Sequence, residues 1–206
     1  MKTLTISLLL GVLALTLAGC PSPCINNLPL YNFPAEAHFS PGHDSIQVGD
    51  TLYLISEIPK NLKPIGSPDF VDYSNANIRG SLSVIELEPK SQFGRDAVFD
   101  FDYKSANGQI YNVRDIPRPD GFQQFLYQEL ADSYKLKIAL IAKKKGIYGL
   151  GIPTVASSGK SDSNGCDKAY FEMNVSNADI HEHYLKGFTG SLVTPRPSNV
   201  YYFKVY

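Results

Sequence analysis

From Tyr134 to Ile141 the chain sets Tyr134, Leu136, Ile138 and Leu140 against Lys135 and Lys137. That strict period of two suits an extended strand with one face on a core and the other in water, and it does not suit a helix. The same signature returns along the chain. Ser45 to Glu57 reads as strand, with Ile46 and Val48 alternating, Gly49-Asp50 interrupting, and Leu52 and Leu54 opposite Tyr53 and Ile55. A glycine inside such a pattern marks a bulge or a tight corner. Ser81 to Leu87 carries Leu82, Val84, Ile85 and Leu87. Ala97 to Tyr103 places Phe99, Phe101 and Tyr103 on one face and Asp100 and Asp102 on the other. Lys143-Lys144-Lys145-Gly146 reads as a hairpin turn into Ile147 to Ile152, and Val200 to Tyr206 makes a last, largely aromatic strand. Short runs between Gly, Pro, Asn and Asp clusters predict an all-β chain, an antiparallel β-sandwich rather than βαβ units.

Two stretches depart from this pattern. Phe122, Phe125, Leu126 and Leu130 fit helical spacing, yet Phe125-Leu126-Tyr127 is equally good strand material. Asn177 to Lys186 reads as one short helix near the C-terminus, with Asn177 or Asp179 as N-cap and Ile180 facing Tyr184. No internal repeat emerges at a fixed period.

The first residues follow a different logic. Met1-Lys2 is a short positive start, Leu4 to Leu17 is a nearly continuous apolar run, and Leu17-Ala18-Gly19-Cys20 closes it. A charged start, an apolar stretch and small residues before a cut are the marks of a secretory signal peptide. The run falls short of the ~20 residues a membrane-spanning helix needs. Leu17-Ala18-Gly19-Cys20 closely resembles the lipobox of bacterial lipoproteins. That resemblance implies a signal peptide over 1–19 and a thioether-linked diacylglycerol on Cys20. Two or three acyl chains hold a protein on a bilayer stably, where one chain does not. In such lipoproteins an Asp directly after the cysteine often signals inner-membrane retention. Here Pro21 stands in that place and no acidic cluster follows, so the resemblance implies the outer membrane and its periplasmic face. An ordinary signal peptide, with Cys20 in a disulfide, is the alternative.

Residues 20–35, rich in Pro and Asn, read as a tether, leaving 36–206 as a single domain. Ser40-Pro41-Gly42-His43-Asp44 is a turn. The phrase Ile46-x-Val48-Gly49-Asp50-Thr51-Leu52 that follows resembles the opening strands of immunoglobulin-like modules in exported bacterial proteins. This implies an immunoglobulin-like sandwich.

A formal charge of −1 implies no nucleic-acid or anionic-surface partner. An exported compartment permits disulfides, and Cys24 and Cys166 are the remaining cysteines. Pairing them would staple the tether to a late loop, although spacing alone does not fix connectivity. Neither has a second Cys or a His at ligand spacing, so no metal site is expected on them.

The candidates for chemistry are few. His181-Glu182-His183 would put both rings on one face of a strand, but on a helix they diverge by about 200°. A third ligand would have to come from His38, His43 or a distant carboxylate. The plainer reading is surface histidines. Asp162-Ser163-Asn164-Gly165-Cys166-Asp167 loosely resembles a calcium loop but lacks the EF-hand register, so a polar loop accounts for it better. Asp96, Asp100 and Asp102 could pair as glycosidase carboxylates, yet Asp opposite Phe is what a half-solvated strand shows. The chain contains no Gly-x-Ser-x-Gly, no His-Glu-x-x-His and no Walker-type loop. With 13 Tyr and 11 Phe but no Trp, aromatic rings must build much of the core. Tyr31, Tyr73 and Tyr111 fall in loop-like segments, where they could stack on a sugar or a partner or simply cover loops.

The expectation is a lipid-anchored envelope protein with no catalytic residues and no cofactor, which binds or braces another envelope component. A carbohydrate-binding module and a hydrolase are the alternatives. The first would need exposed coplanar rings, the second a pocket with converging acidic or His residues.

Overall fold

The computed structural model describes residues 31–87, 94–111, 121–161, 166–185 and 200–206. Cys20 and Cys24 lie outside them, as do the signal-peptide segment, most of the segment read as tether, and residues 162–165 of the calcium-like loop. In chain order the strands are β1 (Tyr31–Ser40), β2 (Ser45–Ile46), β3 (Thr51–Pro59), β4 (Asn61–Leu62) and β5 (Val71–Asp72). Then come β6 (Ala76–Glu86), β7 (Arg95–Asp96), β8 (Phe101–Asn107), β9 (Gln109–Ile110) and β10 (Phe122–Leu126). The last are β11 (Gln128–Glu129), β12 (Ser133–Ala142), β13 (Gly146–Lys160), β14 (Ala169–Val175) and β15 (Val200–Val205). The fold is an all-β sandwich.

One layer runs β8–β12–β3–β1–β14 and the other β9–β10–β6–β13–β15, with β13 joined to β14 through the pair Ala156 and Tyr170. All but two of these pairings are antiparallel; β1 with β14 and β15 with β2 are parallel. The inner faces meet through large rings. Phe39 of β1 stacks on Tyr201 of β15 with centroids 4.9 Å apart, and Phe101 of β8 meets Tyr148 of β13 edge-on at 5.0 Å. Leu52, Leu54, Tyr134, Leu136, Ile138 and Leu140 are all buried, as their alternation predicts. Each side chain of this size contributes about 1.5–3 kcal/mol by leaving water.

Three expectations about strands need correcting. Strand β1 starts at Tyr31, five residues inside the segment read as tether. Phe33, Ala35, Ala37 and Phe39 face the core and give that stretch a period of two, which its Pro and Asn content disguises. The lysine run 143–145 is not a hairpin. Strand β12 already has β3 on one side and β8 and β11 on the other, so the chain leaves the layer and β13 begins in the opposite one. The strand pattern from Ala97 is broken by a 3-10 turn over Val98–Asp100. The Asp96 carboxylate accepts the Val98 amide at 3.1 Å and the Asp100 amide donates to the Ala97 carbonyl at 2.9 Å. That turn swings Phe99 into solvent and Asp100 inward.

The ambiguous stretch from Phe122 is strand, with Gln123 and Phe125 facing in. Near the C-terminus the short helix opens with a 3-10 turn, Ala178–His181, and residues 183–185 are helical. Asn177 holds the N-cap position, but its side chain makes no capping bond there. Its amide instead clasps β1, accepting the Phe39 amide at 3.1 Å and donating to the Phe39 carbonyl at 2.7 Å.

Candidate functional site

Glycine 108 makes the corner from which the site is built. Strand β8 is the edge of one layer and β9 the edge of the other, so the chain changes layers between Asn107 and Gln109. Gly108 takes φ +83°, and a Cβ there would strike the Leu126 carbonyl oxygen. Only glycine takes that dihedral without strain and lets the backbones approach so closely. The Ser105 hydroxyl fixes the bend by donating to the Gly108 carbonyl at 2.7 Å.

Where the two layers part beside this crossing there is a groove of about 490 Å³. Val98, Phe101 and Gln123 form its buried floor, and Tyr103, Ile110 and Tyr111 line it as half-buried walls. Phe99 stands at the rim with 54% of its surface exposed. The floor is held by backbone bonds. Gln123 donates its side-chain amide to the carbonyls of Tyr111 and Gln124, and the Tyr111 amide returns to the Gln124 carbonyl at 3.1 Å. The Tyr103 hydroxyl donates to the Val98 carbonyl at 2.9 Å, which ties the 3-10 turn to β8. Burial, and then the nearby carboxylates of Asp96, Asp100 and Asp102, push the Tyr103 phenol far above its ordinary pKa, so it stays a neutral donor.

The charges around the groove are mostly paired. Lys143 meets Asp102 at 2.9 Å, while Lys104 on the same rim has no ion pair among the described residues. Beyond the 3-10 turn, Arg95 reaches Glu86 at 2.6 Å and also pairs with Asp100. Lys144 lies 3.4 Å from Glu86 and 3.7 Å from Asp100. The Tyr148 hydroxyl donates to Asp100 at 3.3 Å. The Glu86 hydrogen bond raises the Arg95 pKa further, holding the guanidinium as a cation. This network clamps β6, the 3-10 turn and the 143–145 crossing together. It is structural, and its carboxylates face cations rather than an open cavity.

The three aspartates therefore do not converge. Asp96 binds the turn, Asp100 enters the ion network, and Asp102 pairs with Lys143. A second, polar groove of about 370 Å³ lies near Asn75, Ser158 and Lys160, and its one carboxylate, Glu129, pairs with Lys60 at 2.8 Å. The histidines separate as well. His38 and His43 are exposed, while His181 is buried, contrary to the surface reading. Its ring packs edge-on against Tyr201 at 5.3 Å, and its Nε2 lies 3.4 Å from the Gly42 carbonyl. The His183 ring is 6.3 Å from it by centroid, and no group of three metal-binding side chains occurs among the described residues.

Of the tyrosines thought able to stack on a ligand, Tyr73 is fully buried. It shares a hydrogen bond with Ser157 and donates to the Asp167 carbonyl at 2.6 Å. Tyr31 packs on Phe33, and only Tyr111 reaches the groove. The well-exposed rings are scattered: Phe99 in the 3-10 turn, Tyr170 on β14, Phe70 just ahead of β5 and Tyr206 just after β15. Cys166 is disulfide-bonded. Sequence reasoning missed Phe99, Ile110 and Gln123 as neighbours. Phe99 lies within the 3-10 turn, and the break in alternation that this turn makes is the signal that could have exposed it.

No family model matches the chain, and no curated protein matches it either. Among solved structures, it is similar to a cohesin module from a Clostridium perfringens family 33 glycoside hydrolase. The identity is 16%, covering 69% of this chain and 99% of that one, with a TM-score of 0.34. It is also similar to the second type II cohesin module of the ScaA scaffoldin of Acetivibrio cellulolyticus. There the identity is 8% over 58% of this chain and 70% of that one, at a TM-score of 0.30. A type I cohesin–dockerin complex from Clostridium thermocellum matches at 16% identity, covering 68% and 99%, with a TM-score of 0.28.

Proposed function

We propose that this chain is a non-catalytic binding module of the bacterial cell envelope, anchored by lipid on Cys20 to the periplasmic face of the outer membrane. The observation that carries the binding role is the groove beside Gly108. It has Val98 and Phe101 beside Gln123 in its floor, a protruding Phe99, and a polar rim on which, among the described residues, Lys104 is the charge without an ion pair. An apolar anchor ringed by polar groups is the anatomy of a protein-binding surface. The fitting partner is a protein segment that presents an apolar side chain to the groove and an acidic group to Lys104. Among the described residues each of these two grooves is lined by one carboxylate, Asp102 or Glu129, and each is ion-paired. This is poor material for glycoside hydrolysis, which uses two carboxyl groups flanking the substrate bond.

The test is photo-cross-linking of the intact lipoprotein in its own membrane. A photoreactive residue at position 99 is compared with one at Glu172, which is exposed on β14. A discrete adduct at 99 that is absent at 172, and that weakens with Lys104→Glu, is the expected result. Identical adduct patterns at both positions, or none at 99, would overturn the groove as the binding site. A glycan adduct at 99 would transfer the site to carbohydrate.

A further inference from the structure

Strands β1 and β14 run side by side in the same direction, Tyr31 opposite Ala169, and the Tyr31 amide donates to the Lys168 carbonyl at 3.4 Å. A parallel pair forces the chain ahead of each strand to arrive at the same end of the sandwich. Cys166 sits just ahead of β14, its carbonyl accepting the Lys168 amide at 3.0 Å, and its sulfur is in a disulfide. The sequence holds two other cysteines, Cys20 and Cys24, both ahead of β1. From Cys24 to Tyr31 the chain can span up to about 24 Å, so reach alone admits either cysteine. Chemistry separates them. A sulfur held in a thioether to diacylglycerol has no thiol left to oxidise.

We propose that Cys24 is the partner of Cys166, and that this bond staples the lipid-bearing end of the chain to the entrance of β14. The assignment rests on lipidation of Cys20 as proposed above. Forming the bond removes one proton from each thiol and two electrons in all. An exported thiol oxidoreductase bearing a reactive disulfide accepts them through a mixed disulfide and is itself reduced to a dithiol. The consequence is an orientation. Only the stretch from Cys20 to Cys24, about 14 Å at full extension, then separates the membrane from the fold. The end carrying Tyr31 and Ala169 is held at the bilayer. Phe101 and Asp102 pair with Ala142 and Ile141 at the opposite end of β12, so the Phe99 groove is carried away from the membrane.

Thiol counting on the full-length lipoprotein tests this. The protein is taken from its own membranes, denatured without reductant and treated with a polyethylene-glycol maleimide, while a metabolic fatty-acid label is followed in parallel. The wild type is expected to show no gel shift. Cys24→Ser and Cys166→Ser are each expected to show a single shift and to keep the label, and reduction of the wild type should expose two thiols. Because the protein is denatured for the assay, a folding defect in either variant does not obscure the count. Two reactive thiols in the wild type, or a Cys24→Ser variant whose Cys166 stays blocked, would overturn the staple. An unlabelled wild type with one reactive thiol that disappears in Cys20→Ala would overturn the lipid assignment and leave the staple standing.

Discussion

The hydroxyl of Tyr134, on β12, donates to the carbonyl of Tyr73 at 2.8 Å and accepts the Ala76 amide at 2.9 Å. One phenol thus satisfies a donor and an acceptor in the segment that leads into β6, in the facing layer. Both tyrosines are fully buried, so water cannot replace the lost oxygen. Tyr134→Phe should cost about 1–3 kcal/mol, the penalty for leaving buried polar groups unpaired. The expected readout is a lower urea midpoint at an unchanged slope. A midpoint equal to the wild type would show that the phenol oxygen holds nothing.

Gly108→Ala attacks the layer crossing. The added Cβ meets the Leu126 carbonyl, and the φ of +83° is strained for any side chain. About 1–3 kcal/mol of destabilisation is expected from the strained dihedral alone. Proteolysis should then begin near the crossing. A neutral Gly108→Ala would mean that the corner relaxes without loss.

His181 gives the fold a pH dependence of defined sign. Burial against Tyr201 lowers its pKa below the ordinary 6.5, outweighing the Gly42 carbonyl and Asp44, which pull the other way, while His183 adds to the lowering. With the folded-state pKa depressed, the unfolded chain takes up the proton first as pH falls. The stability that depends on neutral His181 is therefore complete above about pH 6.5 and drains away on acidification towards the lower folded-state pKa. Urea midpoints measured at pH 7.5 and pH 5.5 should differ more in the wild type than in His181→Gln. Equal differences would remove His181 as the cause.

Phe99→Ala separates binding from folding. The ring is 54% exposed, and exposed substitutions usually stay within about 0.5 kcal/mol. The thermal midpoint should hardly move, while partner capture falls at least tenfold, the loss expected where an aromatic side chain is a binding hot spot. Capture unchanged in Phe99→Ala would place the partner elsewhere on the surface.

Much of the sandwich was legible because alternation reports burial directly. The inward set Tyr134, Leu136, Ile138 and Leu140 is where the period of two places it, while the strand at Val200 was legible from its aromatic and β-branched run. Alternation does not report neighbours. Lys143 to Gly146 has every local feature of a hairpin, yet pairing partners already in place on both sides of β12 send β13 to the other layer. Local turns also shift the phase of a pattern. The 3-10 turn at Val98 reversed the expected faces of Phe99 and Asp100, and both reversals matter, one for the groove and one for the ion network. The groove itself draws residues from Val98 to Lys143 on several elements. No window of sequence contains it, so it could not be read before the layers were assembled.

The proposed binding role depends on where the module is held, and Cys20 is the residue proposed to hold it. The most direct measurement compares wild type and Cys20→Ala by metabolic fatty-acid labelling and membrane fractionation in the native cell. The account predicts that the wild type is labelled and sediments with outer membrane. Cys20→Ala should lose the label and leave the outer-membrane fraction, with a sandwich of unchanged urea midpoint. A Cys20→Ala chain that still sediments with outer membrane at full abundance would contradict it.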